Sequence, residues 1–246
     1  MSTVRWWVFP EVRPHVNVDT AGLPVDFTAA VYEDIDTALA LAEAADVDLV
    51  LTLFPGAIEI PPEWLATPEA MTRFVDVIDD LFIRYANHPR IMTWQVMNEP
   101  EWAIWNSLID GDLVRDFVRE VAERVHATTS SLVSLGAARM DGLPLWTDLG
   151  LDYLTVHWYD NMTGKSECVP CVSYAELARS LDTDLPILIG EFHHNPAEPV
   201  ERLQRFRDLG YAGALAWSLL PNRTADGLDI VDDASQGFAA ELGTVP

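Results

Sequence analysis

The feature that most constrains the fold of this chain is a regular alternation between short apolar runs and longer segments with helical periodicity. Most of the short runs are almost continuously apolar, which is typical of parallel strands that are buried on both faces. Alternation of strands and helices along a whole chain indicates a parallel α/β fold. Seven strands are predicted, at 3–9, 48–54, 91–97, 132–137, 153–158, 186–191 and 213–218.

The segments between these runs carry apolar residues at helical spacing. Thr67 and Pro68 resemble an N-cap and a first-turn proline, and Ser173 is a second candidate N-cap. The run 142–149 is too short, and too interrupted by proline, to form a full helix. The apolar stripes are Val31, Ile35, Leu39 and Ala42; Phe74, Ile78, Leu81 and Tyr85; Leu113, Phe117, Val121 and Val125; Leu177 and Leu181; Val200, Leu203 and Phe206; and Phe238 and Leu242.

A doubly wound sheet and a (β/α)8 TIM-type barrel both fit this alternation. No predicted strand is followed by GxGxxG or GxxxxGK[ST], so a nucleotide-binding doubly wound sheet is the weaker choice. The 246 residues suffice for one large α/β domain, and we predict a single barrel domain over 1–246. A complete barrel needs eight strands, which is one more than the sequence predicts.

The charge of the chain limits its partners. It carries 39 acidic and 15 basic residues, for a net charge of −24. Such a field repels phosphate backbones and anionic lipid, so neither nucleic acid nor a membrane is expected as a partner, and neutral or cationic substrates are favoured. The sequence has neither a run of about 18 apolar residues, as a membrane helix needs, nor a secretory signal. We expect a cytoplasmic protein, or a secreted one if the native N-terminus is missing.

Two patterns raise the question of a metal. Cys168 and Cys171 form a CxxC pair, which alone cannot complete a zinc site and is interpreted as a loop staple or two free thiols. Glu191, His193 and His194 form ExHH, but adjacent histidines on a strand point to opposite faces. We therefore expect no metal, and keep a metal-dependent hydrolase only as an alternative.

Two glutamates directly follow or end apolar strands, where an acid is costly unless it is paired or needed. Glu99 follows the third predicted strand and Glu191 ends the sixth. The carboxyl ends of barrel strands form the functional face, so these acids would face each other across its mouth. Two carboxylates about 5 Å apart suit retaining glycoside hydrolysis, in which one protonates the leaving oxygen and the other attacks the anomeric carbon.

Together with other residues at strand ends, these glutamates make the chain resemble the clan A glycoside hydrolases, and among them family 5, which includes cellulases and mannanases. The resemblance covers nearly the whole chain. It implies a (β/α)8 barrel and retaining hydrolysis of β-glycosidic bonds in a β-glucan, β-mannan or related oligosaccharide, without a cofactor. The matching residues are Arg5, Asn98-Glu99-Pro100, His157-x-Tyr159, Gly190-Glu191-Phe192 and Trp217.

The resemblance also implies roles for the residues nearest the reaction. Glu99 would be the general acid/base and Glu191 the nucleophile. Asn98 would hold the sugar 2-hydroxyl. Arg5 and Tyr159 would hydrogen-bond Glu191 and keep it ionised.

Other residues would shape the site around these groups. His157 would form a hydrogen bond near the acid/base, and Trp217 would be a platform under the sugar. Trp102 and Trp105, which lie just past Glu99, are candidates to line sugar subsites, and His193 is a candidate to line the cleft.

The chain departs from the family at two places. The arginine strand begins at residue 3, which leaves no room for the preceding barrel strand, and Phe54 and Pro55 stand where the family has a histidine. The N-terminus is truncated, or a segment such as 13–20 or 56–60 fills the gap, or the protein is a true seven-stranded relative. The alternative function is a non-catalytic carbohydrate-binding or scaffold barrel.

Overall fold

A computed structural model of the protein describes residues 2–159, 172–193 and 199–217. Helices and strands alternate along this part of the chain, as the sequence predicts. In chain order the elements are β1 (Ser2–Trp7), β2 (Val16–Val18), β3 (Pro24–Phe27), α1 (Ala29–Ala45), β4 (Val47–Phe54), α2 (Pro62–Leu65), α3 (Pro68–Tyr85), β5 (Ile91–Asn98), α4 (Glu101–Trp105), α5 (Gly111–Thr128), β6 (Leu132–Ala137), β7 (Leu154–Trp158), α6 (Tyr174–Leu181), β8 (Ile187–His193), α7 (Pro199–Asp208) and β9 (Ala214–Trp217).

Seven parallel strands form one sheet that curves into a nearly closed barrel. Their spatial order is β1-β4-β5-β6-β7-β8-β9, so every neighbour in the sheet is the next barrel strand along the chain. All seven predicted strands are confirmed, with ends that differ by a few residues. In the part of the chain that the structure describes, the expected TIM-type barrel is therefore the observed fold, with seven strands present. Because the strands are parallel, their carboxyl ends meet at one end of the barrel.

Among the described residues, no strand occupies the position between β1 and β9, the two ends of the sheet. The rings of Trp7 and Trp217 approach each other there, with centroids 5.4 Å apart. One of the three alternatives is that a segment such as 13–20 or 56–60 fills this position, and for these two segments it is wrong. Val16–Val18 pairs instead with Pro24–Phe27 in a separate antiparallel hairpin, and Ala57–Glu59 forms a 3-10 turn.

Aromatic packing explains the position of the hairpin formed by β2 and β3. Phe27 of β3 stacks on Phe9, just past β1, with ring centroids 4.9 Å apart. Phe9 is itself fully buried and stacks on Phe54 at the end of β4. The buried aromatic contact stabilises the hairpin beside the barrel and keeps it out of the sheet.

The helix signals in the sequence are confirmed where the structure describes them. Thr67 caps α3 by accepting a hydrogen bond from the backbone N–H of Ala70, and Ser173 forms a capping box with Glu176 at the start of α6. The proline-containing run forms a 3-10 helix, Met140–Leu145. Phe238, Leu242, Cys168, Cys171 and His194 lie outside the described residues, so their predictions stay open.

The core lies between the barrel and its outer helices. Phe54 packs between Phe74 of α3 and Phe117 of α5, with ring centroids 5.6 and 5.9 Å away. All three rings are fully buried. The residue that replaces the family's histidine thus belongs to the apolar core. None of the described helices combines the length and the apolar character needed to cross a bilayer.

Candidate active site

Glu99 sits at a turn in which the backbone is unusual for a residue with a side chain. It directly follows β5 and adopts φ +44°, in the left-handed region. Its N–H donates a 2.6 Å hydrogen bond to the carbonyl of Gly136, at the end of the neighbouring strand β6. The left-handed backbone takes Glu99 out of the regular alternation of side chains along β5. The hydrogen bond to Gly136 holds the backbone of this turn in place.

Both carboxylate oxygens of Glu99 have partners. Oε1 lies 2.6 Å from Nδ1 of His157, and Oε2 accepts a 2.9 Å hydrogen bond from the indole N–H of Trp102. Burial raises the pKa of Glu99 and outweighs the opposing effect of the Trp102 hydrogen bond. A raised pKa favours the protonated carboxyl, which is the form that can donate a proton.

His157 is a neutral partner to Glu99. Its side chain on β7 is fully buried, and burial lowers its pKa to about 3. The contact with Glu99 is therefore a hydrogen bond to an uncharged imidazole. The imidazole ring leaves little space around it, since a Cβ added at Gly136 or Gly190 would come within 3.1 Å of a ring atom. The two glycines let strands β6 and β8 approach the histidine.

Glu191 on β8 is held in a different environment. Oε1 accepts a 2.5 Å hydrogen bond from the Arg5 guanidinium, and Oε2 accepts a 2.6 Å hydrogen bond from the hydroxyl of Tyr159. Burial raises the pKa of Tyr159 far above its usual range, so the phenol keeps its proton and donates it. Each oxygen of the Glu191 carboxylate thus accepts a hydrogen bond, one of them from a charged donor.

Arg5 connects the two sides of the site. Besides Glu191, it donates to Oδ1 of Asn98 at 2.7 Å and to Oε1 of Gln95 at 2.6 Å. Gln95 is fully buried inside the barrel and also accepts a hydrogen bond from Thr52. The sequence reasoning missed Gln95. Its signal was an amide within the otherwise apolar β5, where a polar group needs partners.

The two carboxylates face each other at close range. A carboxylate oxygen of Glu99, a ring nitrogen of His157 and a carboxylate oxygen of Glu191 all lie within 4.8 Å of one another. This separation corresponds to the short distance of about 5 Å that a retaining glycosidase needs. The same three groups could offer ligand atoms to a metal cation. The Arg5 guanidinium, however, already forms an ion pair with Glu191, and its positive charge would repel a metal cation bound there.

The predicted aromatic residues lie at different places around these acids. Trp102 and Trp105 on α4 are 40% and 39% exposed and make an edge-to-face contact, with centroids 5.2 Å apart. Trp217 ends β9 beside Trp7 and is partly exposed. The backbone of His193 ends β8, and its side chain lies outside the described part of the structure.

One buried acid near the site was missed by the sequence reasoning. Glu101 lies two residues after Glu99 and has no exposed surface. Its carboxylate accepts hydrogen bonds from the indole of Trp146 and from the backbone N–H of Ala138. An acid in the first turn of a helix ordinarily lies at the surface, where it interacts favourably with the helix dipole, so its burial could not be predicted from the sequence.

The sequence matches no protein-family model and no curated protein, whereas the fold has many solved relatives. A β-mannanase from the blue mussel Mytilus edulis has a TM-score of 0.75 at 18% identity, over 94% of this chain and 79% of that one. A Pseudomonas stutzeri endoglucanase has a TM-score of 0.61 at 15% identity, over 89% and 73% of the two chains.

Some of the similar structures are much longer than this chain. An exo-β-1,4-mannosidase from an Opitutaceae bacterium has a TM-score of 0.63 at 18% identity, and the match covers all of this chain but 54% of that one. A Bifidobacterium dentium β-glucuronidase matches over 41% of its length, with a TM-score of 0.58 at 15% identity. At these identities the likeness shows the fold alone, which is the expected TIM-type barrel.

Proposed function

We propose that this protein is a retaining β-glycosidase in which Glu99 is the general acid/base and Glu191 is the nucleophile. The observation that carries the proposal is the pair of facing carboxylates, with oxygens within 4.8 Å of each other and in contrasting environments. A barrel shared with mannan- and glucan-degrading enzymes supports it. No cofactor enters the mechanism.

In the first step Glu99 gives its proton to the glycosidic oxygen while Glu191 attacks the anomeric carbon. The bond from that carbon to the leaving oxygen breaks, and a covalent glycosyl-enzyme forms on Glu191. The raised pKa of Glu99 keeps the proton available, and His157 does not take it, because burial lowers the pKa of that imidazole to about 3. Arg5 and Tyr159 donate hydrogen bonds to the two oxygens of Glu191 and orient its carboxylate for attack.

In the second step Glu99, now ionised, takes a proton from water. The water oxygen bonds to the anomeric carbon and the bond to Glu191 breaks, which returns the original configuration of the sugar. The proton that left Glu99 in the first step is thereby restored. The Trp102 indole, which donates to Oε2 of Glu99, stabilises the ionised form that the second step requires.

For the substrate we propose a β-glycoside of a neutral hexose, with mannosides and glucosides first. The net charge of −24 disfavours anionic sugars. Asn98 would hold the sugar 2-hydroxyl, with Oδ1 already fixed by Arg5. Trp217 would stack under the sugar at the site of cleavage, and the exposed rings of Trp102 and Trp105 would contact the leaving group, because they adjoin the acid/base.

Aryl β-glycosides of mannose, glucose, galactose and xylose, together with β-mannan and β-glucan, test the proposal. We expect turnover of at least one of them by the parent, a loss of about 10²–10⁴-fold in Glu99→Gln, and at least as large a loss in Glu191→Gln, which lacks the nucleophile. Glu123→Gln, which removes an exposed carboxylate on α5, is the matched control and should keep full activity.

Addition of EDTA should leave the activity of the parent unchanged, whereas a metal-dependent hydrolase would lose activity.

Azide separates the two roles. With a 2,4-dinitrophenyl glycoside, which needs no acid, azide should restore turnover of Glu99→Ala and give a β-glycosyl azide. With Glu191→Ala the azide replaces the missing nucleophile and should give the α-glycosyl azide. The opposite pair of products would exchange the roles of the two acids. A folded parent that turns over none of these substrates, but binds mannan or glucan, would support the alternative of a carbohydrate-binding barrel.

A further inference from the structure

Glu101 is a buried acid that takes no direct part in the proposed reaction. It begins α4, two residues after Glu99, and its side chain has no exposed surface. A carboxyl group in such a place is costly to bury unless its oxygens have partners. Its contacts therefore indicate what the residue contributes to the fold or to the site.

Two hydrogen-bond donors to this carboxyl belong to the segment that follows β6. Oε1 accepts a 2.6 Å hydrogen bond from Nε1 of Trp146, and Oε2 accepts a 3.1 Å hydrogen bond from the backbone N–H of Ala138. Gly142 lies between these two donors in sequence. A Cβ at Gly142 would come within 2.6 Å of Oε1, so the backbone of this segment passes directly over the carboxyl.

The strand that leads into this segment contacts the proposed acid/base. The carbonyl of Gly136, two residues before Ala138, accepts the 2.6 Å hydrogen bond from the N–H of Glu99. Glu99 has a left-handed backbone, which surrounding contacts must maintain. The end of β6 is thus connected to Glu99 on one side and to Glu101 on the other.

We propose that Glu101 is a positioning residue, whose carboxyl binds the segment 138–146 to the turn after β5 and so fixes Glu99 in the geometry for proton transfer. The inference rests on the proposed glycosidase function of Glu99. It adds a residue that acts through Glu99 and touches no substrate. Burial raises the pKa of Glu101 to about 7, and the nearby charge of Glu99 contributes to that shift.

The test is the Glu101→Gln variant, because both partners of the carboxyl are N–H donors. A carboxyl offers a lone pair at each oxygen even when it is protonated, whereas the amide nitrogen of glutamine offers none. One donor, at Trp146 or at Ala138, must then face another donor. The E101Q variant keeps the size of the side chain and breaks one side of the contact.

The readout is the dependence of kcat/KM on the leaving group. A phenyl glycoside needs protonation of its leaving oxygen, and a 2,4-dinitrophenyl glycoside does not. We expect E101Q to lower kcat/KM for the phenyl substrate by at least about 10-fold more than for the dinitrophenyl substrate. Glu99→Gln should show the same pattern, and E123Q should show no change. An equal loss on both substrates in E101Q, with the pattern intact in Glu99→Gln, would overturn the proposal.

Trp146→Phe provides a second variant, which removes the donor and keeps the carboxyl. In the double variant the glutamine amide no longer meets the indole N–H. We therefore expect the double variant to lose less than the product of the two single effects. If E101Q does not fold, Trp146→Phe alone should show the same leaving-group pattern in weaker form, and its absence would contradict the inference.

A spectroscopic measurement separates this inference from the proposed function. His157 Nδ1 contacts Glu99, so the ¹⁵N shift of its imidazole reports the position of that carboxyl without any turnover. We expect E101Q to move this shift in the same direction as Glu99→Gln, and E123Q to leave it unchanged. An unchanged His157 signal in folded E101Q would refute the positioning role even in a protein that hydrolyses nothing.

Discussion

The indole N–H of Trp102 donates a 2.9 Å hydrogen bond to Oε2 of Glu99, while the other carboxylate oxygen of Glu99 contacts the fully buried His157. Trp102 is 40% exposed, so Oε2 lies on the open side of the site. This is the oxygen that a leaving group would approach. The tryptophan therefore contacts the proposed acid/base and borders the space for the substrate.

Trp102→Phe should shift the alkaline limb of the pH profile to higher pH. Glycosylation needs protonated Glu99, so kcat/KM falls as the pH rises through the pKa of that carboxyl. The Trp102 hydrogen bond lowers this pKa, against the larger effect of burial. Phenylalanine lacks the donor, so the pKa rises further and the limb moves up. Trp105→Phe, on the same helix, is the control, and a shift to lower pH in Trp102→Phe would contradict the prediction.

Arg5→Lys should reduce kcat by at least about 10²-fold while the protein stays folded. The guanidinium donates to Glu191, Asn98 and Gln95 at once, and an ammonium group cannot reproduce that fork. Arg13→Lys, at a pair with Glu63 in which both side chains are about half exposed, is the matched control and should keep full activity. Equal kcat values for the two variants would argue against a role for Arg5 in holding the nucleophile.

The free energy of unfolding should depend on pH because of the titration of Glu101. Its folded pKa of about 7 lies above its usual value of 4.5, because of burial. A raised carboxyl pKa contributes stability that is complete below pH 4.5 and is lost as the pH rises through 7. The free energy of unfolding of the parent should therefore fall by about 3 kcal/mol relative to E101Q between pH 4.5 and 8. Urea unfolding at several pH values measures this difference, with E123Q as control; parallel curves for parent and E101Q would be the contrary result.

The barrel could be predicted because each of its strands carries its own local signal. An apolar run such as 48–54 is buried on both faces, and the apolar stripe from Val31 to Ala42 matches the buried face of α1. The placement of the hairpin could not be predicted, since it depends on the contact of Phe27 with Phe9, between segments that do not pair in a sheet. Local periodicity carries no information on such a contact.

The candidate site, like the fold, could be predicted from the sequence only in part. The strand-end positions of Glu99 and Glu191 follow from the sequence, because parallel strands bring their carboxyl ends together. The buried polar residues that contact the rest of the site could not be predicted from the sequence. Gln95 contacts Arg5 from inside the barrel, and Glu101 is buried by a segment more than thirty residues further along the chain. Both depend on how neighbouring strands are aligned, which the sequence alone does not specify.

Phe54 provides the last prediction, since it stands where the resembling family has a histidine. Its ring is fully buried among Phe9, Phe74 and Phe117. A histidine there would lose these contacts and bury ring nitrogens among apolar side chains, so Phe54→His should destabilise the protein by about 2 kcal/mol more than Phe54→Leu. Thermal and urea unfolding of both variants measure the difference. Equal stability of the two variants would mean that the apolar packing of Phe54 is incidental. A rise in glycosidase activity in Phe54→His would mean that this position belongs to the site.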